Sequence, residues 1–585
     1  MSTSKPLPQV HSSEPGNDRL DSWKEIAVYL KRDERTVRRW EAEGLPVRRK
    51  VHKKQASVFA YKAEIDAWWD GRAPAAAADV ADAHPVLEIA RPGTRASRWL
   101  IVCGGALLAL VVVAYFATRS RLRGATESKI KSLAVLPLKN LSGDPTQEYV
   151  ADGMTEALIG RLSSIHDLRV ISRTSAMQFK NTSLSVPEIA RTLQVDAIVE
   201  GSVIRDASRI RVHAQLIRAA TDEHFWSETY DRELRDVLAL QSDVAQSIAR
   251  KVEITVTGEE HARLTAARSI SPDVYESYVK GRFNKHNSKA ELEQSIAYFE
   301  DAIQKDPTFA SAYVGLADAY DSLGTVFVGA PPAEARQRQM SAARKALELD
   351  ATIAEAHVLL ADALQRRWQW ADADAEYRHA LDLNPSDSAA HIGFALWLLC
   401  QGRTDEAVAW AKRARELDPL GNAVSSIGYI LFEARHYDEA IRAMQAVISV
   451  RSDDASAYWY LGFALIANDQ PGEAIPVLEK ALSVSDRSPG VMGVLVRAYA
   501  RAGRRSDALR ILEQLKKRSQ AGYVPPGAFV NAYLGLGDNE QAFAWIERAY
   551  QEQSNILQFL KVHPFFDPLR SDPRFTNLVR RVGLG

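Results

Sequence analysis

The residues best suited to bind a charged partner form a cationic cluster near the N-terminus. Between residues 31 and 54 there are ten Lys or Arg residues against four Asp or Glu residues, although the whole chain has zero formal net charge. Clustered cations bind phosphates, and arginine can also form two hydrogen bonds with guanine. A solvated basic surface facing anionic lipid is the alternative. The candidate DNA-binding residues are Arg35, Thr36, Arg38, Arg39, Arg48, Arg49, Lys50, Lys53 and Lys54.

Hydrophobic spacing within residues 19–72 predicts the elements that position these cations. A first helix has a buried stripe at helical spacing, formed by Trp23, Ile26, Ala27 and Leu30. Asp33 suits the N-cap of a second helix, on which Val37 and Trp40 face inward and the arginines lie on other faces. A wing-like hairpin over 47–61 follows, and a last helix closes the core with Ile65, Trp68 and Trp69.

This unit resembles the excisionase or MerR-like winged helix-turn-helix family. The resemblance implies that the second helix enters the major groove and that the wing contacts the DNA backbone. It covers under a tenth of the chain. The matching stretches are Ser-Trp-Lys-Glu-Ile-Ala-Val-Tyr-Leu at 22–30, Arg-Thr-Val-Arg-Arg-Trp-Glu at 35–41, Gly-Leu-Pro at 44–46, Ala-Tyr at 60–61 and Ile-Asp-Ala-Trp at 65–68.

An uncharged apolar run occupies residues 99–118, between Arg98 and Arg119. As a helix, these 20 residues would extend about 30 Å, the thickness of the hydrocarbon core of a bilayer. The sequence therefore predicts a single transmembrane helix, preceded by a linker at 73–98 that is rich in alanine and proline. A buried core helix is the alternative.

Residues 131–257 alternate strand-like and helix-like segments and predict an α/β domain. The domain resembles the TolB-like or FlgO-like N-terminal domain over nearly its whole length, and the resemblance brings no known activity. Its matching stretches include Leu-Ala-Val-Leu-Pro-Leu at 133–138, Val-Ile-Ser-Arg-Thr-Ser at 170–175 and Val-Glu-Gly-Ser-Val at 199–203. Strands are expected at 132–138, 168–172, 197–204, 209–217 and 224–230, and helices at 147–165, 186–193 and 236–252.

From about residue 272 the chain is predicted to be helical with a period near 34 residues. Small residues precede each predicted second helix, at Ala373, Ala407, Ala440, Ala474, Ala508 and Ala542. This spacing resembles the tetratricopeptide repeat (TPR), a pair of antiparallel helices, and implies an all-α solenoid of about eight units over 272–550. Two earlier units are spaced ten residues too far apart, with the excess near 325–335. Residues 551–585 are predicted to cap the array.

Catalytic and metal-binding signals are weak. Asp152-Gly153, at the opening of a predicted helix, could hint at a carboxylate site but better suits a turn or cap. The histidines lack metal-ligand spacing, no phosphate-binding glycine loop is present, and the two cysteines allow at most one disulfide. We therefore expect no enzyme activity, no metal and no cofactor, although an enzyme site in the middle domain remains an alternative.

The combined prediction is a multidomain protein: a small winged helix-turn-helix, a single transmembrane helix, an α/β domain and a tetratricopeptide solenoid. It would be a single-pass inner-membrane transcriptional regulator with its N-terminus cytoplasmic and its C-terminal region periplasmic. The expected partners are double-stranded DNA, the membrane, and a protein or peptide on the repeats. A homodimer would suit paired half-sites. Flanking charge opposes this orientation, because five basic residues follow the apolar run and three precede it. The alternative is an interaction scaffold without DNA binding.

Overall fold

The computed structural model describes residues 19–20, 22–32, 34–41, 45–51, 56–70, 129–206, 208–266, 268–283, 288–324, 332–421 and 423–585. The chain divides into two compact units, with the boundary after Thr118. Asp33, Lys53, Lys54 and the predicted linker at 73–98 lie outside the described residues.

Among its described residues, the first unit has three helices and a small antiparallel sheet. Its elements are β1 (Arg19–Leu20), α1 (Trp23–Tyr29), α2 (Glu34–Glu41), β2 (Arg48–Val51), β3 (Ala56–Tyr61) and α3 (Lys62–Asp70). The sheet order is β1-β3-β2, so the β2–β3 hairpin forms a wing. Ser22 caps α1 by accepting a hydrogen bond from the backbone N–H of Glu25. Of the predicted stripe on α1, Leu30 is only half-buried; the core consists of Leu20, Trp23, Ile26, Ala27, Val37, Leu45, Ala60 and Ile65.

The structure contradicts the predicted single transmembrane helix and the predicted single-pass membrane localisation. Within the ranges given above, no helix is both long enough and apolar enough to cross a membrane. The longest of them, Pro332–Leu349, has 18 residues and carries charged side chains along its length, because only one of its faces packs against neighbouring helices. The predicted span at 99–118 lies outside the described residues.

The second unit begins with an α/β domain. Its strands are β4 (Ser132–Val135), β5 (Lys139–Asn140), β6 (Arg169–Val170), β7 (Ala197–Asp206), β8 (Arg209–Arg218) and β9 (Glu223–Glu233). The order is β6-β4-β7-β8-β9, and β5 also pairs with β7. Strand β4 runs parallel to β6 and β7, and β5 runs parallel to β7, whereas β7, β8 and β9 form an antiparallel meander. The predicted alternation along the second hairpin strand matches β8, on which Ile210 and Val212 are buried and Arg209 and Arg211 are exposed.

Helices α4 (Glu148–Ser163) and α7 (Val237–Lys251) cover one face of this sheet, and α6 (Val186–Leu193) covers part of the other. Two smaller helices are α5 (Arg173–Ala176) and α8 (Gly258–Thr265), and 3-10 turns span Pro145–Gln147, Met177–Phe179 and Leu234–Asp236. The helix α6 begins with a capping box, in which Ser185 and Glu188 satisfy each other's backbone N–H groups.

Eight helical hairpins follow in the described part of the chain, and we number them 1 to 8. Their first helices are α9 (Pro272–Phe283), α11 (Ala310–Leu323), α13 (Ala354–Arg366), α15 (Ser388–Cys400), α17 (Ala423–Glu433), α19 (Ala455–Ala467), α21 (Pro489–Arg501) and α23 (Pro526–Leu536). Their second helices are α10 (Lys289–Lys305), α12 (Pro332–Leu349), α14 (Trp370–Leu383), α16 (Thr404–Leu417), α18 (Tyr437–Val450), α20 (Pro471–Val484), α22 (Arg505–Ala521) and α24 (Asn539–Gln551). The all-helical solenoid predicted from the period is thus confirmed.

Small residues hold these helices close together. The predicted alanines lie in the first turn of each second helix rather than before it; Ala373, for example, is fully buried in α14. A Cβ atom added to Gly393 on α15 would come within 2.5 Å of the ring of Tyr377 on α14. First helices of neighbouring hairpins contact one another along the array, so they form the inner, concave side of the solenoid.

The chain ends with two 3-10 turns, Asn555–Phe559 and Pro564–Leu569, and helix α25 (Pro573–Arg581). We call residues 555–585 the C-terminal segment. It turns back on the repeats instead of extending them, and its position decides which surface of the array is open.

Candidate functional site

Helix α2 presents basic side chains away from the core of the first unit. Val37 is fully buried, whereas Arg35 and Arg38 are exposed on other faces of the helix. The guanidinium of Arg38 lies 2.6 Å from a carboxylate oxygen of Glu34, an exposed pair that contributes about 0.3–0.5 kcal/mol. Arg35 makes no hydrogen bond or ion pair within the described residues. Little energy is therefore needed to transfer either guanidinium to a phosphate.

The remaining predicted site residues lie on α2 and on the wing. Thr36 is half-buried and Arg39 is exposed on α2. Arg49 and Lys50 belong to β2, where their backbones pair with Val58 and Ser57 of β3. Lys53 and Lys54, at the tip of the predicted wing, lie outside the described residues.

Arg48 is the wing cation whose contacts are defined. Its guanidinium lies 2.5 Å from a carboxylate oxygen of Glu64 and 5.4 Å from the ring centre of Tyr61. Both Arg48 and Glu64 are partly exposed, so the ion pair orients the arginine at modest energetic cost. The first unit thus brings Arg35, Arg38 and Arg48 to its surface on two of the elements that the sequence predicted.

A buried carboxylate joins the α/β domain to the repeats. Asp418, between hairpins 4 and 5, is only 2% exposed. It accepts hydrogen bonds from the hydroxyl groups of Ser172, Thr174 at 2.7 Å and Ser175 at 2.6 Å. It also accepts one from the backbone N–H of Ala423 at 3.1 Å. In return, the backbone N–H of Ser172 donates to the carbonyl of Leu417 at 2.8 Å. The Ser-Arg-Thr-Ser stretch singled out in the sequence is therefore an interdomain contact.

A second contact between these regions centres on Arg282 of α9. Its guanidinium donates to Glu156 of α4 and, at 2.8 Å, to Glu355 of α13. Burial would raise the pKa of Glu156, but the charges of Arg282 and Arg173 outweigh burial and lower it. One arginine thus joins the α/β domain to hairpins 1 and 3.

The C-terminal segment covers the concave side of the repeats. Its turns contact first helices of the array, and polar contacts fix it at several hairpins. The amide of Gln365 donates to Gln558 at 3.0 Å, and the indole of Trp370 donates to the carbonyl of Val582 at 2.8 Å. Arg435 makes a two-pronged ion pair with Asp567, with both contacts at 2.8 Å. The predicted capping segment therefore reaches from hairpin 8 back to hairpin 3, and its Asn555 also accepts a hydrogen bond from Arg336 of hairpin 2 at 3.2 Å.

Aromatic packing anchors this segment. Phe565 and Phe566 are 2% and 0% exposed. The guanidinium of Arg497, on α21, lies 3.7 Å from the ring centre of Phe565, close enough for a desolvated cation–π contact. Burial lowers the pKa of Arg497 to about 9. His563 lies 2.9 Å from the buried carboxylate of Glu433. A peptide could reach this concave surface only by displacing these groups.

Asp152 and Gly153, the candidate carboxylate site of the sequence, make structural contacts. Asp152 does not open a helix as predicted but lies inside α4, where its carboxylate lies 2.6 Å from the ammonium of Lys180. Burial raises the pKa of Asp152 above its usual value. A Cβ on Gly153 would lie 2.6 Å from a methyl group of Val279, so glycine lets α9 pack against α4. The described residues contain no group of three or more His, Cys, Asp or Glu residues arranged to hold a metal ion.

Comparison with known families identifies both large parts of the second unit. Residues 128–248 match the family model described as HilA/YgeH-like transcriptional regulator, second domain. Residues 358–422, 426–491 and 465–522 match tetratricopeptide repeat models. The chain therefore combines a transcriptional-regulator-like domain with repeats of a protein-interaction class. The match at 128–248 is to the regulator family rather than to the expected TolB-like domain, and no comparison shows the MerR-like resemblance.

Individual relatives match only part of the chain. A protein of Rhizobium meliloti (strain 1021) named "Putative adenylate cyclase 3" is 34% identical over 236 residues, which are 40% of each chain. Human "Tetratricopeptide repeat protein 6" is 23% identical over 35% of this chain and 38% of its own. The chain thus spans about two fifths of the length of these curated relatives. Among solved structures, YrrB, a TPR protein with an unusual peptide-binding site, is 21% identical over 32% of this chain and 91% of its own, with a TM-score of 0.23.

Proposed function

We propose that this protein is a transcriptional regulator whose first unit binds duplex DNA and whose second unit binds a protein or peptide partner. The observation that carries the proposal is the geometry of α2, which buries Val37 and leaves Arg35 and Arg38 exposed, in a unit whose wing also carries Arg48 at the surface. The transcriptional-regulator match at 128–248 in the same chain supports this assignment.

The basic residues of α2 and those of the wing have separate roles in this proposal. Arg35 and Arg38 approach the major groove, where a guanidinium can bind guanine or a phosphate, and Arg48 on the wing contacts the DNA backbone. Arg39, Arg49, Lys50, Lys53 and Lys54 would add phosphate contacts. A homodimer stays a prediction. The proposed activity is binding, and no catalytic role is assigned to the residues related to the cyclase-named protein.

The test is fluorescence anisotropy of the full chain with duplex DNA selected from a random library, measured over a range of salt concentrations. Arg35→Ala should weaken binding about tenfold or more and reduce the slope of log affinity against log salt by about one. Lys24→Ala is the matched control, because Lys24 is an exposed cation on α1 rather than on α2 or the wing. If both variants bind as the unaltered chain does, or if no duplex is bound above the level of a generic basic protein, the proposal is wrong.

A further inference from the structure

Hairpin 2 lacks a side chain that the other hairpins have. Two successive positions near the middle of each second helix are buried or half-buried, and every other hairpin has at least one large side chain there. Hairpin 2 has Ala342 and Ala343 instead, which are 6% and 0% exposed. The corresponding pairs in the other hairpins are Tyr298–Phe299, Glu376–Tyr377, Trp410–Ala411, Ala443–Met444, Val477–Leu478, Ile511–Leu512 and Trp545–Ile546.

The missing side chain leaves a groove between α11 and α12. In hairpin 4, Trp410 fills the equivalent space and packs edge-on against Phe394, with 5.0 Å between ring centres. The residue that corresponds to Phe394 in hairpin 2 is Leu316, which is half-buried, whereas Phe394 is 2% exposed. A cavity of about 560 Å³ lies over Leu316 and Tyr313.

The rim of this groove is basic. Arg338, Arg344 and Lys345 line it, and Glu348 is the one acidic side chain among the described residues that line it. Arg344 makes no hydrogen bond or ion pair within the ranges that the structure describes. Arg338 pairs with exposed Glu334 at 2.7 Å and donates to the hydroxyl of Tyr320 at 3.2 Å, and Lys345 pairs with exposed Glu348 at 3.0 Å. A negatively charged partner could displace those pairs at small cost.

The concave side of the repeats, which is the other surface that could bind a peptide, is covered over most of its length. The concave side of hairpins 3 to 8 is contacted by the C-terminal segment, and α4 of the α/β domain lies against α9 through Arg282. The groove on hairpin 2 is lined by neither of these. It combines an apolar floor, a small residue (Ala342) at the position that Trp410 holds in hairpin 4, and a cationic rim. These features together favour an aromatic residue with acidic neighbours.

We propose that the groove between α11 and α12 is the partner site of the repeats, and that it binds an acidic protein segment through one bulky aromatic side chain. The aromatic ring takes the place that Trp410 fills in hairpin 4, and carboxylates on either side pair with Arg344 and Lys345. This inference rests on the proposed function, because it names the chemistry of the protein partner.

The test uses the full chain and a fluorescein-labelled peptide in which one tryptophan is flanked on each side by three glutamates. The unaltered chain should bind it, and replacing the tryptophan by alanine should weaken binding about tenfold or more, as for an aromatic hot spot. Ala342→Trp, which adds a ring at the groove floor, should weaken binding by a similar factor, and its melting temperature is compared with that of the unaltered chain. Arg344→Glu should also weaken it.

The matched control is Ala446→Trp, because Ala446 is exposed on α18; this variant should bind the peptide normally. The groove proposal is overturned if the unaltered chain does not bind the peptide, if Ala342→Trp binds as well, or if Ala446→Trp is equally impaired. A change in sedimentation mass caused by Ala342→Trp would point to a second copy as the occupant and would also overturn it. Binding of duplex DNA is measured on the same samples. If the unaltered chain does not bind duplex DNA, the proposed function is contradicted, but the peptide result can still be interpreted.

Discussion

Replacing Asp418 should loosen the contact between the α/β domain and hairpins 4 and 5. The carboxylate accepts hydrogen bonds from Ser172, Thr174, Ser175 and the backbone N–H of Ala423. Asp418→Ala removes the shared acceptor and leaves buried donors without a partner. The structure therefore predicts a local effect at the interdomain loops rather than loss of the whole fold.

The size of this effect follows from the number and kind of bonds. Each hydrogen bond to a charged group contributes about 1.5–3 kcal/mol, but the four donors on one carboxylate are not additive, because the three hydroxyl groups among them can rotate to other acceptors. We expect about 3–4 kcal/mol for Asp418→Ala. Because about 1.4 kcal/mol corresponds to a factor of ten, local opening should become about 10²–10³ times more frequent. Asp418→Asn keeps an oxygen acceptor and should lose less.

The assay is amide hydrogen exchange of the full chain, followed by mass spectrometry of peptides that cover residues 168–180 and 415–425. The backbone N–H groups of Ser172 and Leu420 are direct reporters, since they bond to Leu417 and to the hydroxyl of Ser175. Asp405→Ala is the matched control, because Asp405 is exposed on α16. If exchange in Asp418→Ala stays within about threefold of the control, the carboxylate does not hold the two regions together and the reasoning fails.

Two further changes test the packing and the electrostatics. Gly393→Ala should destabilise the repeats by about 1–3 kcal/mol in urea unfolding, because its Cβ would meet Tyr377 at 2.5 Å; Gly472→Ala, with no atom within 4 Å, should be neutral or slightly stabilising, and equal effects would contradict the packing argument. Burial alone would raise the pKa of Glu260, but N–H donors from His166 and Thr257 lower it to about 2. This carboxylate should therefore stabilise the fold above about pH 4.5 and lose that contribution as the pH falls toward 2. The deficit in the urea midpoint of Glu260→Gln should accordingly shrink between pH 7 and pH 3, and a constant deficit would refute the assignment.

Elements with strong local signals were predictable from the sequence. Helix α6 begins and ends at the predicted residues because Ser185, Pro187 and Glu188 define its first turn locally. The 34-residue period likewise indicated the helical hairpins, since each unit must bury the same small residues. The outward position of Arg35 followed from the spacing of Val37 and Trp40.

Features that depend on distant partners were not predictable. Strand β1 has only two residues and exists because Arg19 and Leu20 pair with β3. The local sequence at Asp152-Gly153 indicates a turn or cap. The actual requirement for glycine at 153 is the close approach of α9, a helix more than a hundred residues away, which no local pattern shows. The path of the C-terminal segment over the concave side has no local pattern at all.

That path also fixes the number of repeats. An open solenoid can gain or lose a unit by insertion or deletion, because each unit touches only its neighbours. Here Gln558 and Val582 meet Gln365 and Trp370 of hairpin 3, and Asp567 meets Arg435 just after α17 of hairpin 5. Duplicating one hairpin between them would shift these contacts out of register by a whole unit, so a change in the number of repeats would detach the C-terminal segment from the array.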